Sequence, residues 1–259
     1  MTIAERRARR SRDELRNLLV ETGRELLAEE GLQTGSSNLT FKRVFDRVEL
    51  KTGERITNAS VIRRVWEHQA EFQADVLVAV TRDQARPEAA ATMEAMAAAL
   101  SILDLSTAES RSDAVREVFR AGGNVNSSEI GESAVWPLWI SVVAMSASAA
   151  SPVERRRLSS SLSEGFDSVS RSWSDNFAVL MEVLGLRIRP NLTLEQFVSL
   201  VVALAQGCSL RTRTTDHNEM IVRPTGPNGE DQDWSLFALG LEALLHQFME
   251  PDPGFSPPE

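Results

Sequence analysis

Apolar residues recur at helical spacing through almost every long segment of this 259-residue chain. They stand three or four positions apart, which places them along one face of an α-helix. No segment shows the strict alternation of apolar and polar residues that is typical of a half-buried strand. The sequence therefore predicts an all-α fold. Beyond residue 87 the pattern predicts helices over roughly 88–105, 109–121, 134–149, 152–184, 193–209 and 234–249.

Three segments of this part of the chain are predicted to lie outside the helices. Gly122 and Gly123 together are typical of a helix C-terminus. The polar stretch Arg211–Asp233 is rich in Thr, Asn, Gly and Pro, which predicts a loop. Residues 252–259 contain further prolines and are expected to form a flexible tail.

The first 84 residues predict four helices that are separated by short polar segments. Ser11 and Glu14 have the spacing of a capping box, and Gly31 is a typical residue to follow a helix. Thr40 is the expected N-cap of the second helix. The predicted order is a helix from about Ser11 to Gly31, a short helix after Thr40, a short helix from Thr57 or Asn58 to Trp66, and a longer helix from about Gln69 to Gln84.

The net charge of −9 is distributed unevenly along the chain. Residues 1–82 contain 15 Lys and Arg against 13 Asp and Glu, whereas the remaining residues contain 13 against 24. The first sixteen residues alone hold six arginines and three acidic residues. A basic end on an acidic protein is expected where one face meets phosphate and the rest repels it. A solvated basic tail would have the same composition, so charge alone leaves both interpretations open.

The second and third predicted helices have the lengths of a helix-turn-helix. In that motif the later helix lies in the major groove of DNA, with its N-terminal residues facing the base edges. On a helix that starts at Asn58, the apolar residues Val61, Ile62 and Val65 would be buried. Arginine pairs well with guanine or phosphate, and asparagine with adenine or phosphate. The side chains expected to point outward are Asn58, Ser60, Arg63 and Arg64.

The first 85 residues resemble the DNA-binding domain of the tetracycline-repressor (TetR) family. That family has an amphipathic helix ending in Gly and then a helix initiated by Thr. A recognition helix of the approximate form V-S-x-G-x-L-Y-x-H-F follows, and then a helix opening with S-K-E-x-L. The matching segments here are Leu26–Gly31, Thr40–Phe45 and Ile56–Arg63, with Trp66 near the family's aromatic residue and Glu71-Phe72 near its E-x-L pattern.

The chain departs from the family pattern in this same region. Ile62 stands at the position of the family's tyrosine and Gln69 at that of its lysine, two residues that usually bind phosphate. One residue is inserted around Arg64-Val65, and the turn over Glu49–Arg55 is about six residues longer than usual. The candidates to replace the missing phosphate contacts are Arg63, Arg64, His68 and the N-terminal arginines.

The resemblance implies a homodimeric transcriptional repressor that binds a palindromic operator in double-stranded DNA. Residues 1–84 would form a three-helix helix-turn-helix domain, and residues 85–251 a larger helical domain for ligand binding and dimerisation. The implied DNA-binding residues are Thr40, Lys42, Thr57, Asn58, Ser60, Arg63, Arg64 and His68.

Two apolar stripes on the last two helices are broader than a monomer's surface is expected to leave exposed. In similar proteins the last two helices pair across the dimer as a four-helix bundle. The expected interface residues are Phe197, Val201, Leu204, Phe237, Leu241, Leu244, Leu245 and Phe248. The alternative is that both stripes are buried within their own subunit.

The helices over 134–149 and 152–184 correspond to those that line the inducer cavity in similar proteins. The resemblance therefore implies a small apolar effector. Aromatic and methionine side chains make adaptable apolar pockets, although any one of them is equally suited to plain core packing. The expected pocket residues are Trp136, Trp139, Met145, Phe166, Trp173, Phe177 and Met181.

The sequence offers little that is suited to catalysis. His68, His217 and His246 are far apart, and none has the spacing of a metal ligand with another His or with Cys208. No pattern pairs two carboxylates, and no Gly-rich loop is placed to bind phosphate. We therefore expect no enzymatic activity, no metal and no cofactor. The alternative function is a helical dimeric module that binds a ligand or protein and has lost operator binding.

Two further features bear on location. The single cysteine, Cys208, excludes an internal disulfide and fits a reducing cytoplasm, where we expect the protein. It is expected to be a small buried apolar residue rather than a nucleophile. Ala134–Val153 is uncharged and about as long as a membrane span. Its serines and two prolines favour a buried helix instead, so no membrane partner is expected.

Overall fold

The computed structural model describes residues 10–30, 39–57, 61, 64–66, 68–82, 87–133, 136–148, 152–215, 219–225 and 229–256. These residues form nine helices and four short strands, in two compact units. The helices are α1 (Arg12–Glu30), α2 (Phe41–Thr52), α3 (Gln69–Arg82), α4 (Pro87–Leu100), α5 (Ala108–Glu132), α6 (Trp136–Ser148), α7 (Pro152–Leu184), α8 (Leu194–Thr214) and α9 (Leu236–Phe248). The strands are β1 (Leu186–Ile188), β2 (Ile221–Thr225), β3 (Glu230–Trp234) and β4 (Met249–Pro251).

The chain is therefore mostly helical, as the periodicity predicts. The helix predicted over 152–184 has those bounds, with a proline in its first turn and Gly185 in the left-handed region just after it. Among the described residues, no helix is both long and apolar enough to cross a membrane.

The first unit comprises Met1–Gln84 and Ala134–Gly165. Residues 134–165 thus belong to this unit, although they lie within the range 85–251 that the sequence predicts as a second domain. Helix α1 packs against α2 and α3, and α3 packs against α6.

Local capping fixes where the helices of the first unit begin. The Ser11 hydroxyl accepts the Glu14 amide and the Glu14 carboxylate accepts the Ser11 amide, which is the predicted capping box. Thr40 caps α2 by accepting the Arg43 amide, again as predicted. Helix α2 ends at Gly53, whose φ of 66° is the left-handed conformation that glycine adopts without strain.

The second unit comprises Ala85–Ser133 and Phe166–Glu259, with α5 packed against α4, α8 and α9. The sequence predicts a helix C-terminus at Gly122 and Gly123, and this is wrong, because α5 continues through them to Glu132. A Cβ atom at Gly123 would lie 2.8 Å from both Cα and Cβ of Ala238. A Cβ atom at Gly122 would overlap the side chain of Met96. The two glycines therefore serve the close approach of neighbouring helices.

The stretch Arg211–Asp233 was predicted to be a loop, and this is wrong. Helix α8 continues to Thr214, and β2 and β3 form an antiparallel hairpin that pairs Ile221 with Trp234. Each strand shows the same burial pattern, in which only its last residue is buried, so apolar alternation could not reveal it. The Trp234 indole is fully buried and donates to Thr225 Oγ1 at 2.8 Å.

A buried carboxylate on α9 attaches the hairpin to the helices. Glu242 accepts from Arg116 of α5 at 3.0 Å and from Arg223 of β2 at 2.5 Å. The Arg223 guanidinium also lies over the Trp234 ring, 4.8 Å from its centroid. Asn124 of α5 donates to the Asp233 carbonyl at 2.8 Å and accepts the Ser235 amide at 2.8 Å. These contacts hold α5, α9 and the hairpin together.

The C-terminal residues are also fixed in part. Strands β1 and β4 pair antiparallel, and the Asp252 amide donates to the Gly185 carbonyl at 2.8 Å. A Cβ atom at Gly185 would lie 2.6 Å from the Phe255 ring. The Arg111 guanidinium lies over this ring, 5.0 Å from its centroid. The predicted flexible tail over 252–259 is therefore wrong for 252–256, while residues 257–259 lie outside the described residues.

Candidate DNA-binding surface

A buried carboxylate joins α1, α3 and the end of the segment that the sequence predicts as a recognition helix. Asp75 of α3, only 7% exposed, accepts from the Trp66 indole at 2.7 Å and from Arg16 Nε of α1 at 3.0 Å. Trp66 follows the segment that the sequence assigns to the recognition helix. A charge-assisted hydrogen bond in a buried setting is strong, so Asp75 fixes the end of that segment to α1 and α3.

Aromatic rings complete the attachment. The Trp66 ring meets Phe72 of α3 edge to face, with centroids 5.0 Å apart, and lies 6.2 Å from Phe41 of α2. Phe41 in turn stacks on Phe45 at 5.7 Å and on Phe72 at 5.2 Å. Such pairs add about 0.5–1.5 kcal/mol each beyond the burial of their area. One aromatic cluster therefore connects α2, Trp66 and α3.

Two glutamines of α3 hold the start of α2. Gln69 Oε1 accepts the Phe41 amide at 3.3 Å, which satisfies one of the free N–H groups at that helix terminus. Gln73 Nε2 donates to the Leu39 carbonyl at 2.9 Å. Gln69 is the position at which the TetR family has its lysine. Here the side chain at that position forms a hydrogen bond within the protein.

The structure describes five of the eight sequence-predicted DNA-binding residues. Lys42, Thr57 and His68 are exposed. Thr40 is half-buried and serves as the N-cap of α2. Arg64 is half-buried, and its Nη2 donates to the main-chain carbonyl of Arg10 at 2.6 Å. The other three, Asn58, Ser60 and Arg63, lie outside the described residues.

Ion pairs neutralise several cations on the side of α2 that faces α1. Arg47 forms two hydrogen bonds with Glu29, at 2.7 and 2.6 Å, and Lys51 pairs with Glu25. The bond from Arg47 lowers the pKa of the Glu29 carboxyl, with the charges of Arg47 and Lys51 acting in the same direction. Surface pairs of this kind contribute little stability, but they remove net charge from that face.

Lys42 and Arg55 differ from these paired cations. Both are exposed, and neither forms an ion pair with any residue in the described ranges. Arg10 pairs with Glu54, next to Arg55 in the chain, and its carbonyl is held by Arg64. Among the described side chains of residues 10–82, the exposed cations without an ion pair are therefore Arg12 in α1, Lys42 at the start of α2 and Arg55 in the turn that follows α2. Sequence reasoning included Arg10 among the N-terminal arginines, but it did not select Arg55, which lies in the turn after α2 and not on a predicted helix face.

The expected dimer residues lie mainly inside the second unit. Six of the eight side chains are buried in the core that α5, α7, α8 and α9 share, and so cannot reach a second chain in this conformation. This agrees with the alternative that the stripes are buried within their own subunit. The six are Phe197, Val201, Phe237, Leu241, Leu245 and Phe248, while Leu204 and Leu244 are half-buried.

The seven expected effector residues are divided between the two units. Trp136 and Trp139 of α6 are buried in the first, with ring centroids 5.0 Å apart, and Met145 is on the same helix. Phe166, Trp173, Phe177 and Met181 of α7 belong to the second. Phe177 is in the core, between Phe119 at 5.9 Å and Phe197 at 5.0 Å. None of the six whose side chains the structure describes lines either of the two cavities described for the second unit.

Cys208 borders one of those cavities, an open groove of about 480 Å³ between α5, α8 and the start of α9. The side chain is half-buried and packs against the core. Burial raises the pKa of its thiol, and the charge of Arg211 opposes this only in part. A thiol of this kind is poorly reactive. No group of three or more His, Cys, Asp or Glu among the described residues is arranged to hold a metal ion.

No family model matches the chain, and comparison with curated proteins and with solved structures found nothing similar.

Proposed function

We propose that the protein is a homodimeric, sequence-specific DNA-binding transcriptional repressor whose operator affinity is modulated by a small effector. The observations that carry this proposal are the attachment of Trp66 to α1 and α3 through Asp75 and the exposed, unpaired cations at the start of α2 and in the turn after it. A recognition segment must be rigid, because its hydrogen bonds to base edges tolerate little displacement. Exposed cations beside it supply the phosphate contacts that dominate affinity.

The distribution of charge supports the same function. Cations on the α1-facing side of α2 are neutralised by Glu25 and Glu29, whereas Lys42 and Arg55 remain available to phosphate. The body of the protein is acidic and would repel DNA elsewhere. In this proposal Lys42, Arg55, Thr57 and His68 meet the backbone, and Asn58, Ser60 and Arg63 meet base edges. Arg64 positions the N-terminal arginines.

A second copy of the chain is proposed to dock on the outer face of α8 and α9. These helices pack together, and their exposed apolar residues include Leu200, Leu210 and Leu236, which are 46%, 47% and 49% exposed. The same face presents the small residues Ala203 and Gly207, which allow helices to approach closely. The buried stripes of the two helices thus hold the protomer together, and the opposite face would pair around a two-fold axis.

Fluorescence anisotropy with a labelled duplex from the protein's own promoter tests the DNA-binding proposal. We expect sequence-specific binding that weakens steeply between about 50 and 200 mM salt, because each neutralised phosphate releases counterions. Lys42→Ala should weaken binding and reduce the slope of log K against log salt by about one. Lys51→Ala is the matched control on the same helix, since Lys51 is already paired with Glu25.

Two results would contradict the proposal. Equal affinity for the promoter and for random duplex would remove sequence specificity. Equal effects of Lys42→Ala and Lys51→Ala on DNA affinity would show that the DNA-binding surface is not the one proposed. Loss of all DNA binding in a protein that is still dimeric would favour the alternative function, a helical module that no longer binds an operator.

Gly207 gives a direct test of the dimer. A Cβ atom at this position meets nothing within 4 Å in the protomer, so Gly207→Leu should leave the fold unchanged. It should raise the monomer fraction in light scattering coupled to size-exclusion chromatography if α8 pairs with a second copy. Gly131→Leu on α5 has equally open space and is the control that should stay dimeric. Unchanged dimerisation of Gly207→Leu would place the interface elsewhere.

A further inference from the structure

A second cavity in the second unit has a different character from the groove at Cys208. It has a volume of about 180 Å³ and lies between the first turns of α5, the end of α7, strands β1 and β4 and the end of α9. Part of its wall is the core itself, since Leu184, Leu245 and Met249 line it and are at most 4% exposed. Val115 and Leu186 also line it and pack against the same core.

The charged residues of the lining balance one another. They are three arginines and three carboxylates, namely Arg111, Arg116, Arg189, Glu242, Glu250 and Asp252. The only histidine of the lining, His246, is exposed. With that histidine neutral, the lining has no net formal charge, so it favours neither an anion nor a cation.

The carboxylates are also engaged within the protein. One oxygen of Glu242 accepts from Arg116 at 3.0 Å, and the other accepts from Arg223, which is outside the lining. Glu250 likewise uses one oxygen for Arg187 and the other for Arg189. A cationic ligand would therefore compete with guanidinium groups that already occupy these oxygens.

The remaining charged pair of the lining is held by local contacts. The Arg111 guanidinium donates to the Leu105 carbonyl at 2.9 Å and lies over the Phe255 ring. Asp252 accepts the Gly254 amide at 2.9 Å. The polar groups of the lining thus interact mainly with the protein, and the core residues provide the surface that a ligand can bury.

The balance of free energies favours an uncharged ligand. An ion would lose its hydration on entering, and a charge removed from water is costly unless it gains a partner. An uncharged ring has little hydration to lose, and it gains from burying apolar surface. A cavity of about 150 Å³ lined by Leu, Ile and Phe takes up benzene. The present cavity is therefore large enough for one ring with a small substituent.

We infer that this cavity is a binding site for a small uncharged apolar molecule, of the class of single-ring aromatic compounds. The ring would lie against the side chains of Leu184, Leu245 and Met249. A sugar or a free phosphate is excluded, because its polar groups would be left unsatisfied against these walls. This is not the cavity that the family resemblance implies, because Trp173 and Phe177 do not line it.

The position of the site connects it to the proposed repressor. Leu245 belongs to α9 and Met249 follows that helix directly, and α9 is one of the two helices that we propose to form the dimer. A ligand that binds one arrangement of α9 more tightly than another would shift the dimer geometry and hence the spacing of the two recognition segments. This regulatory consequence rests on the proposed function, whereas the binding site does not.

Isothermal titration of the full chain with toluene, benzoate and benzylamine tests the site. The three probes share the ring, and their substituents are neutral, negative and positive. We expect toluene to bind with one site per chain, and both charged probes to bind at least tenfold more weakly. Absence of toluene binding at millimolar concentration, or equal binding of a charged probe, would overturn the inference.

Filling the cavity locates the bound ring. Val115→Phe should abolish toluene binding, because Val115 is half-buried in the lining and the added ring occupies the space of the ligand. Val179→Phe, at an exposed position of α7 outside the lining, is the matched control and should bind toluene as the parent does. Undiminished toluene binding by a folded Val115→Phe variant would place the ring elsewhere and refute the assignment.

Circular dichroism establishes that each variant is folded. Should Val115→Phe fail to fold, Ser112→Trp replaces it, since Ser112 lies in the lining but is exposed and tolerates a large side chain. It should weaken toluene binding at least tenfold, and unchanged binding would count against the site.

A separate arm distinguishes this inference from the proposed function. Operator affinity is measured with and without saturating toluene. If toluene binds to a protein that never binds DNA, the proposed function fails and the site stands. If DNA binding is specific but toluene binds nowhere, the site fails and the proposed function stands.

Discussion

The contact between α5 and α9 at Gly123 supports a quantitative prediction about stability. Replacing a glycine inside a helix by alanine usually stabilises a protein by about 0.5–1 kcal/mol, because the unfolded chain loses conformational freedom. At Gly123 the added Cβ would lie 2.8 Å from Cα and Cβ of Ala238. The first of these is a backbone atom, which no side-chain rotation can move. Overpacking of this kind costs about 1–3 kcal/mol.

Gly123→Ala should therefore lower the free energy of unfolding by about 0.5–2 kcal/mol, since the cost of overpacking exceeds the gain in helix propensity. Gly131→Ala on the same helix is the matched control. Nothing lies within 4 Å of its Cβ position, so it should be neutral or stabilising by up to about 0.5–1 kcal/mol.

Urea unfolding followed by far-ultraviolet circular dichroism measures both variants. The expected difference between the two alanines corresponds to several degrees in melting temperature, at about 2–4 °C per kcal/mol for a chain of this size. If Gly123→Ala stabilises the protein as much as Gly131→Ala does, the close approach of α5 and α9 is wrong.

Three other experiments, at Asp75, Glu242 and Cys208, test contacts and burial on which the structure depends. Asp75→Ala should lower the free energy of unfolding by about 1–3 kcal/mol, because the buried Trp66 N–H loses its acceptor, and it should weaken operator binding, whereas Asp75→Asn keeps an acceptor and should cost less. Chemical denaturation measures the change in stability and fluorescence anisotropy measures operator binding, and equal effects of Asp75→Ala and Asp75→Asn would contradict the role of Asp75 as an acceptor. Glu242→Gln should destabilise the second unit by about 1–3 kcal/mol because Arg116 and Arg223 lose their shared counter-charge; Glu195→Gln, exposed on α8, should be silent in the same urea titration. The Cys208 thiol should react with a disulfide reagent more slowly than an unfolded cysteine near neutral pH and accelerate as the pH rises, because burial raises its pKa and keeps it protonated; equal rates in the folded and urea-unfolded protein would refute this.

The helical elements were accessible from the sequence because each has its own apolar face and capping residues. Ser11 with Glu14 and Thr40 with Arg43 are local interactions, which spacing alone reveals. The glycine pair at 122–123 misled the prediction for a physical reason. A glycine that ends a helix and one that admits a neighbouring helix look identical in one sequence, and only the partner at Ala238 distinguishes them.

The hairpin and the cavity in the second unit could not be predicted from the sequence, because both depend on contacts between residues that are distant along the chain. Strands β2 and β3 bury little apolar surface of their own and depend on Glu242, a residue of α9, which follows the hairpin along the chain. The arginines that line the cavity of about 180 Å³ in the second unit, Arg111, Arg116 and Arg189, come from α5 and from the residue after β1, and nothing in their spacing predicts that they converge. The sequence likewise predicted broad apolar stripes on α8 and α9, but it did not show which side of each helix is buried within the protomer.

The hydrogen bonds of Asp75 have a consequence for protein engineering. Asp75 is the shared acceptor of Arg16 and Trp66, so replacing it leaves the buried Trp66 N–H without its acceptor. Under the proposed function, transplanting the segment up to Trp66 into another scaffold to change DNA specificity would therefore require moving Asp75 with it, although Asp75 lies on a separate helix, α3. A graft that carries Trp66 alone would bury an indole N–H that has no acceptor.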